Sequence, residues 1–373
     1  MIYCQICLQP DTRPNIVFVN GKCPACIFYL GSMNWDWDVR VETLKKVISE
    51  KVTGSVGQYD CILGVSGGKD STRLALWARD FLGLKPLLVS VSYPPEQITE
   101  RGVSNLDNLI ELGFDIYISS PSPILWKAMM RKAFLESANW AKTTELALFA
   151  GVPQIAIELG VKLILWGENP ALQLGALETM GTEGWDGNQL RKMNTLSGMD
   201  KGWISLEGFS ESNFLPYYYP EESEFQSHDI QIIFLGWAMR TWGLLENGLA
   251  ATLDGFSGRI DSALNTADLV GLSSVDEDWV TLNQMIKYYK YGFGRATDYV
   301  NEWIRKGRLT RSEAVEIVEK YDGACSDSYI NSFCLYIGID VTEFWNVVSV
   351  NTNRELFDVH NNMRPTKKFS VGN

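Results

Sequence analysis

Short apolar segments alternate with longer segments of helical periodicity in the first half of this chain. The apolar segments predict buried strands at Cys61–Val65, Pro86–Ser92, Phe114–Ile118 and Val161–Trp166. The periodic segments predict helices at Val41–Ile48, Thr72–Leu82, Ile98–Leu112 and Ile124–Leu159, the last interrupted near Gly151–Pro153. Continuously apolar strands separated by helices predict an α/β protein with a parallel sheet covered on both faces.

The rest of the chain is mainly helical. Residues 229–246 have helical spacing, and five further helices are predicted at 280–291, 296–306, 310–320, 326–337 and 341–348. Residues 176–215 show little periodicity, which is typical of a binding loop or lid. Within that segment Trp185 and Trp203 either stack on a sugar or base or simply pack against their neighbours.

Composition and charge indicate a globular protein of more than one domain. The chain has 373 residues, of which 46% are hydrophobic and 21% charged, and its formal net charge is −12. No apolar run reaches the length that a bilayer requires, and the N-terminus lacks a signal-peptide pattern, so we expect a cytoplasmic protein without membrane contact. The negative charge argues against a broad nucleic-acid surface.

Residues Ser66–Ser71, with the sequence SGGKDS, lie where the first strand gives way to a helix. Two glycines let the backbone approach a ligand closely, and the first helical turn presents N–H groups and a favourable dipole to an anion. The usual P-loop does not fit, because it needs four residues between its glycines and a final Lys-Ser/Thr pair. The residues therefore predict a triphosphate site, with an unliganded glycine-rich turn as the alternative.

This segment resembles the pyrophosphatase loop of the N-type ATP pyrophosphatases, whose signature is SGGxDS. The resemblance implies an adenine nucleotide alpha-hydrolase-like (PP-loop ATPase) fold that cleaves ATP to AMP and pyrophosphate while a substrate oxygen is adenylated. The loop residues expected to bind ATP are Ser66, Gly67, Gly68, Lys69, Asp70 and Ser71. By fold analogy, Val91 at the end of the second strand lies near the adenine.

The turn after the fourth strand is the second candidate site. In the superfamily that the loop resembles, this turn faces the nucleotide and its magnesium. Gly167 would allow close approach, Glu168 would hold Mg²⁺ or orient the substrate, and Asn169 would hydrogen-bond either one. A plain Asn-Pro turn is the alternative. Asp70 is the other candidate for Mg²⁺, with helix capping as its alternative role.

Four of the seven cysteines form two pairs near the N-terminus, Cys4-x2-Cys7 and Cys23-x2-Cys26, fifteen residues apart. Four thiolates at this spacing predict a structural zinc site, closed to catalysis because protein fills all four positions. A disulfide pair would need an oxidising compartment, and a redox pair normally opens a helix of a larger unit. Cys61, Cys325 and Cys334 are isolated and typical of buried apolar positions.

Basic residues gather in the C-terminal third of this acidic chain, and they are Lys287, Lys290, Arg295, Arg305, Arg308 and Arg311. Individually they are typical of a solvated helix face. As a group they can hold an anionic substrate or pyrophosphate over the site. Lys290 and Arg295 are the first candidates for such a catalytic role.

Larger motifs narrow the resemblance. The cysteine pairs, SGGKDS, Trp166–Pro170 (WGENP), Lys290–Asp298 (KYGFGRATD) and Ile304–Arg311 (IRKGRLTR) together resemble the N-acetyl sugar amidotransferases of O-antigen and of pseudaminic or legionaminic acid synthesis. The resemblance runs from about residue 1 to residue 345 and is weakest in 246–283. It implies three parts, a zinc module at 1–34, the ATP pyrophosphatase domain at 35–245 and a helical substrate-binding region at 246–373.

The resemblance implies that ATP adenylates the oxygen of an acetamido group on a sugar, expected to be nucleotide-linked, and that ammonia then displaces AMP to give an acetamidino group. The two histidines, His228 and His360, stand in no recognisable glutaminase setting, and residue 2 is Ile. We therefore expect a separate glutaminase to supply ammonia. A tRNA-thiolating enzyme and an inactive nucleotide-binding scaffold are the alternatives, and the first fits poorly with solitary cysteines and a negative charge.

Overall fold

The computed structural model describes residues 1–52, 58–167, 187–192, 204–360 and 363–372. Its centre is a parallel sheet of five strands, β1 Cys61–Gly64, β2 Pro86–Val91, β3 Asp115–Ser119, β4 Leu163–Trp166 and β5 Gln231–Phe234. Their order across the sheet is β3-β2-β1-β4-β5. The chain order reverses between β1 and β4, and in open α/β sheets ligands bind at such a switch point, beyond the carboxyl ends of the strands.

Helices surround the sheet and form the C-terminal third. The helices that precede β5 are α1 Pro24–Ser32, α2 Trp37–Val52, α3 Lys69–Leu76, α4 Glu100–Glu111, α5 Pro123–Ser137, α6 Ala141–Leu159 and α7 Glu222–Ser227. Those that follow are α8 Leu244–Leu253, α9 Ala263–Thr266, α10 Val280–Tyr291, α11 Arg295–Arg305, α12 Arg311–Tyr321, α13 Asp327–Ile337 and α14 Val341–Asn351. A two-stranded antiparallel ribbon, β6 Phe357–Asp358 with β7 Thr366–Lys367, lies near the C-terminal end.

The sheet separates two apolar cores, because successive side chains of a strand point to opposite faces. On one face Ile62 and Val89 join Trp126 of α5 and the C-terminal helices. On the other face Leu63 joins α2, α3 and α4. This three-layer arrangement confirms the predicted α/β fold, and the five C-terminal helices also form where their periodicity predicts them.

Two predictions of secondary structure are wrong. Residues 229–246 do not form one helix: Gln231–Phe234 is the fifth strand, and α8 begins only at Leu244. A four-residue apolar run has too few positions to distinguish the period of a helix from that of a strand. Hydrogen-bonded pairing with β4 makes this segment a strand.

The long helical region is interrupted at Ala138, where φ is +45°, and not at Gly151–Pro153. Pro153 lies inside α6. A Cβ at Gly151 would lie 2.6 Å from Val91 Cγ2, so this glycine allows α6 to pack directly on β2. The glycine therefore serves helix-sheet contact, not a helix break.

Among the described residues, no single helix is long and apolar enough to cross a membrane. Helices α13 and α14 meet a test of length and composition only as a pair bent by 103°.

Candidate functional site

The glycine loop connects β1 to α3 at the switch point of the sheet. Gly67 has φ +74°, a left-handed conformation that favours glycine, and a Cβ there would lie 3.0 Å from backbone and side-chain atoms of Asn105. Gly68 is the N-cap of α3 and offers no capping side chain. The loop therefore leaves the first N–H groups of α3 available to an anion.

A hydrogen-bonded chain fixes the acidic residue of the loop. Lys69 Nζ donates to Asp70 Oδ2 at 2.7 Å, and Asn247 Nδ2 donates to Asp70 Oδ1 at 2.6 Å. Asn247 Oδ1 in turn accepts from Arg73 Nη1 at 2.6 Å. Asn247 is buried on α8, far from the loop in sequence, and no motif pointed to it. These contacts hold the Asp70 carboxylate in one orientation.

The loop opens into a cavity of about 610 Å³, a volume in the range of small-molecule sites. The lining includes these residues predicted from the sequence: Ser66, Gly68, Lys69, Asp70, Ser71, Val91 and Gly167. The structure thus brings the glycine loop, the end of β2 and the end of β4 to one space. Gly67 shapes the turn behind this lining. Glu168 and Asn169, like Trp185 and Trp203, lie outside the described residues.

Gly167 directly follows β4, and its backbone is closely packed against other residues. A Cβ at this position would lie 2.7 Å from Cη2 of Trp242, which belongs to the core on the α3 face of the sheet. Glycine therefore lets the backbone beyond β4 lie against Trp242 while it lines the cavity.

The opposite wall of the cavity is acidic and comes from the C-terminal region. Asp276 and Glu277 line it. Their segment is held to the turn after β2 by the hydrogen bond from Thr99 N to Asp276 O at 2.9 Å. Burial raises the pKa of Asp276 to about 6 and that of Glu277 to about 8. The Glu277 carboxylate accepts from Trp279 N at 2.7 Å and from Val280 N at 2.6 Å, at the start of α10. No pattern in the sequence pointed to Asp276 and Glu277, which lie in the segment where the family resemblance is weakest.

Helix α11 adds Asp298, Tyr299, Glu302 and Arg305 to the polar lining. Asp298 belongs to the motif that suggested the family, and Arg305 belongs to the predicted basic group. Among the described residues, Lys69 and Arg305 are the cations of the cavity lining.

The structure does not bring Lys290 and Arg295 to this cavity. Lys290 Nζ donates to Ser137 O at 2.5 Å, and burial lowers the pKa of Lys290 to about 8. Arg295 is buried with its guanidinium 3.8 Å from a carboxylate oxygen of Asp268. Neither cation lines the cavity, whereas Arg305 of the same basic group does.

The four N-terminal cysteines form one buried cluster. The sulfurs of Cys4, Cys7, Cys23 and Cys26 all lie within 4.8 Å of one another. The Cys7 and Cys23 sulfurs are 3.7 Å apart, close to the ~3.8 Å edge of a tetrahedron with Zn–S bonds of about 2.3 Å. The Ile6 and Cys23 backbone N–H groups donate to Cys4 Sγ at 3.4 and 3.3 Å. The donor set fits a structural zinc ion, which would be held by these four thiolates.

The remaining cysteines are buried and unpaired by disulfides. Burial raises the pKa of Cys325 and Cys334 to about 12, and it raises the pKa of Cys61 as well. These thiols are protonated at neutral pH and do not line the cavity. They are unsuited to a sulfur relay beside the nucleotide.

The five-stranded parallel sheet, with the SGGKDS loop at its switch point, has the arrangement that the resemblance to PP-loop ATPases predicts. Residues 265–370 match the family model of the LPS biosynthesis protein WbpG-like, C-terminal domain. This match supports the resemblance to enzymes of surface-polysaccharide synthesis over the C-terminal region. The match begins inside 246–283 and continues beyond residue 350, so it covers segments in which the sequence resemblance is weak.

Several solved structures are similar to parts of the chain. They include an NH₃-dependent NAD synthetase from Campylobacter jejuni (20% identity, 38% of this chain and 61% of that chain, TM-score 0.29) and an NMN synthetase from Francisella tularensis (15%, 52% and 85%, TM-score 0.29). A U34-tRNA thiolase, NcsA, from Methanococcus maripaludis is also similar (14%, 59% and 73%, TM-score 0.23). The chain spans about three fifths of the NAD synthetase. Among curated proteins, no sequence matches this chain.

Proposed function

We propose that this protein is an ATP-dependent amidotransferase that converts an acetamido group of an N-acetyl sugar to an acetamidino group. The observation that carries the proposal is the composition of one cavity. The SGGKDS loop lines it, and so do residues between Asp276 and Arg305, which belong to the region that matches the WbpG-like domain. One cavity thus combines the proposed phosphate-binding loop with residues of the region that resembles a polysaccharide-biosynthesis family.

The first step is adenylation. The acetamido oxygen attacks the α-phosphorus of ATP, the bond from that phosphorus to the bridging oxygen breaks, and pyrophosphate leaves. The N–H groups of the first turn of α3, with Lys69, stabilise the negative charge that gathers on pyrophosphate. Magnesium, when bound, would neutralise phosphate charge, and Asp70 is the described carboxylate placed to hold it.

The second step is displacement of AMP. The nitrogen of ammonia forms a bond to the activated carbon, and the carbon–oxygen bond breaks with its electron pair leaving on AMP. The product amidine keeps the extra proton as an amidinium. Asp276, which lines the same cavity, is suited to accept hydrogen bonds from sugar hydroxyls or from the incoming amine. Glu277 beside it already accepts hydrogen bonds from Trp279 N and Val280 N.

A separate glutaminase is the proposed source of ammonia. His228, one of two histidines, hydrogen-bonds the carbonyl of Glu224 at 2.9 Å and the hydroxyl of Ser227 at 3.1 Å on an exposed turn. That setting lacks the cysteine nucleophile of a recognisable glutaminase. High ammonium concentration should therefore replace the partner in vitro.

The test is mass spectrometry of nucleotide-linked N-acetyl sugars incubated with the protein, Mg²⁺-ATP and ammonium. We expect a product one mass unit lighter than the substrate, with one AMP and one pyrophosphate per product. Asp70→Asn and Ser66→Ala should abolish product, whereas Asp80→Asn, on the exposed turn after α3, should not.

Two other results would redirect the proposal. AMP without the mass change would indicate an adenylating enzyme with another acceptor, and tRNA would then be tested first. Failure to form AMP with any sugar would contradict the proposed reaction and favour a nucleotide-binding scaffold.

A further inference from the structure

The N-terminal cysteine module packs on the helices that form one wall of the proposed nucleotide cavity. Leu8 N donates to Asn301 Oδ1 at 2.7 Å, and Thr12 Oγ1 donates to the Tyr291 carbonyl. From the other side, Arg311 Nη1 donates to the Cys4 carbonyl at 3.0 Å and also to the Cys7 carbonyl. The module is thus tied to α10, α11 and α12 by hydrogen bonds on several sides.

Arg13 links the cysteine module to a residue that lines the cavity. Its guanidinium forms an ion pair with Asp298, which lines the cavity, and its Nε donates to Gln9 Oε1 at 2.9 Å. The guanidinium also stacks over the Phe293 ring, 4.5 Å from the centroid. Lys287 Nζ lies 2.5 Å from the other oxygen of Asp298. The module therefore supplies one of two cations that compensate this carboxylate.

Arg305 lies on the same helix, two turns beyond Asp298, and also lines the cavity. The preceding residue, Ile304, packs against the four cysteines. Helix α11 thus contacts the cysteine cluster through Ile304 and lines the cavity through Asp298 and Arg305.

We propose that the cysteine module is a positioning element of the nucleotide site, and that Arg13 is the residue through which it acts on Asp298. The inference rests on the proposed function only in taking the cavity as the site for Mg²⁺-ATP. With Arg13 in place, the Asp298 carboxylate is compensated and fixed. Without Arg13, an excess negative charge faces the phosphates and α11 loses an anchor.

The test compares Mg²⁺-ATP binding by wild-type protein and Arg13→Ala with isothermal titration calorimetry. We expect Arg13→Ala to bind about tenfold more weakly, as for loss of one compensating charge near a partly buried anion site. Bound zinc, measured after release from each protein, should stay at one ion per chain in both. Lys22→Ala is the matched control, because it removes one positive charge from the same module and leaves the Asp298 contacts intact.

A double variant separates charge compensation from general loss of structure. Arg13→Ala combined with Asp298→Asn removes both charges and should recover most of the lost affinity, which a merely destabilised protein would not do. Arg13→Lys, which keeps the charge and the fold, should lie between wild type and Arg13→Ala. It also serves as the test if Arg13→Ala does not fold.

The outcomes are distinguishable. If wild-type protein fails to bind Mg²⁺-ATP, the proposed function fails. If wild type binds and both Arg13 variants bind equally well, the positioning role is overturned. Reduced affinity without recovery in the double variant would also overturn it, because the effect would then be structural.

Discussion

Asn247 links the glycine loop to α8 by hydrogen bonds. The chemical nature of its two partners fixes which atom of the Asn247 amide faces each of them. A carboxylate only accepts and a guanidinium only donates, so the amide must present nitrogen to Asp70 and oxygen to Arg73. The side chain is buried, and its loss would leave charged groups without their partners. At the scale of single residues, this contact sets the orientation of the loop carboxylate.

Asn247→Leu should therefore lower the rate of AMP formation by about 10- to 100-fold, since the carboxylate loses its fixed orientation. Steady-state kinetics of pyrophosphate release would measure the change. Asn108→Leu is the control. The Asn108 amide also donates a hydrogen bond to a residue distant in the chain, here the carbonyl of Asp254, but Asn108 does not line the cavity. Equal rates for wild type and Asn247→Leu would contradict the assigned role.

The buried acids of the cavity wall predict how stability changes with pH. The pKa of Asp276 rises from 3.8 to about 6 on folding, and that of Glu277 rises from 4.5 to about 8. Between pH 4 and pH 8 the unfolded chain has therefore released protons that the folded protein keeps. The stabilisation is complete below the unfolded values and is lost as pH rises through the folded ones.

We expect the free energy of unfolding to decrease from pH 5 to pH 8, by at most about 3 kcal/mol per pH unit near pH 5, where both acids retain a proton, and by at most about 1.4 where only Glu277 does. Urea unfolding at several pH values would measure the slope. Glu277→Gln should reduce the slope, and Glu316→Gln, on the exposed face of α12, should not. A wild-type slope of opposite sign would show that other groups dominate.

At the scale of elements, the turn from β1 to α3 depends on a backbone that only glycine adopts easily. Gly67 combines a left-handed φ with close contact to α4, where Asn105 donates to the Ser257 carbonyl at 2.9 Å. Gly67→Ala should cost about 1–3 kcal/mol in stability and should weaken ATP binding, because the loop must move away from α4. Thermal unfolding and calorimetry would measure both effects.

Gly83→Ala is the control for the backbone effect. Its φ is +68°, but a Cβ there meets nothing within 4 Å. This variant should lose some stability and keep its affinity for ATP. Equal ATP affinities for Gly67→Ala and Gly83→Ala would show that contact with α4 does not position the loop.

At the scale of the whole molecule, the four-cysteine module, which fits a zinc ion, packs onto the last third of the chain. The module is too short for a large core of its own, so its stability should depend on the ion. Cys7→Ser should reduce bound zinc well below one ion per chain and lower the unfolding temperature. Cys61→Ser is the control, because Cys61 is buried in the sheet and should leave zinc content unchanged. Full zinc content in Cys7→Ser would contradict the four-thiolate site.

The sequence by itself determined the features whose physical cause is local. Four strands and the main helices follow from periodicity, the glycine loop from two glycines at a strand–helix junction, and the four-cysteine cluster from paired cysteine spacing. Each depends on residues that are close in the sequence, so the pattern is visible before the fold is known.

Only the tertiary structure decided the features that need partners distant in the chain. Pairing with β4 made Gln231–Phe234 a strand, and packing against Val91 kept α6 continuous through Gly151. Asn247 reached Asp70 because α8 packs against α3, and the acidic wall reached the cavity through its contact with Thr99. For the same reason, Lys290 donates to the Ser137 carbonyl and Arg295 lies beside Asp268. A charge seen in sequence has no fixed partner until the fold supplies one.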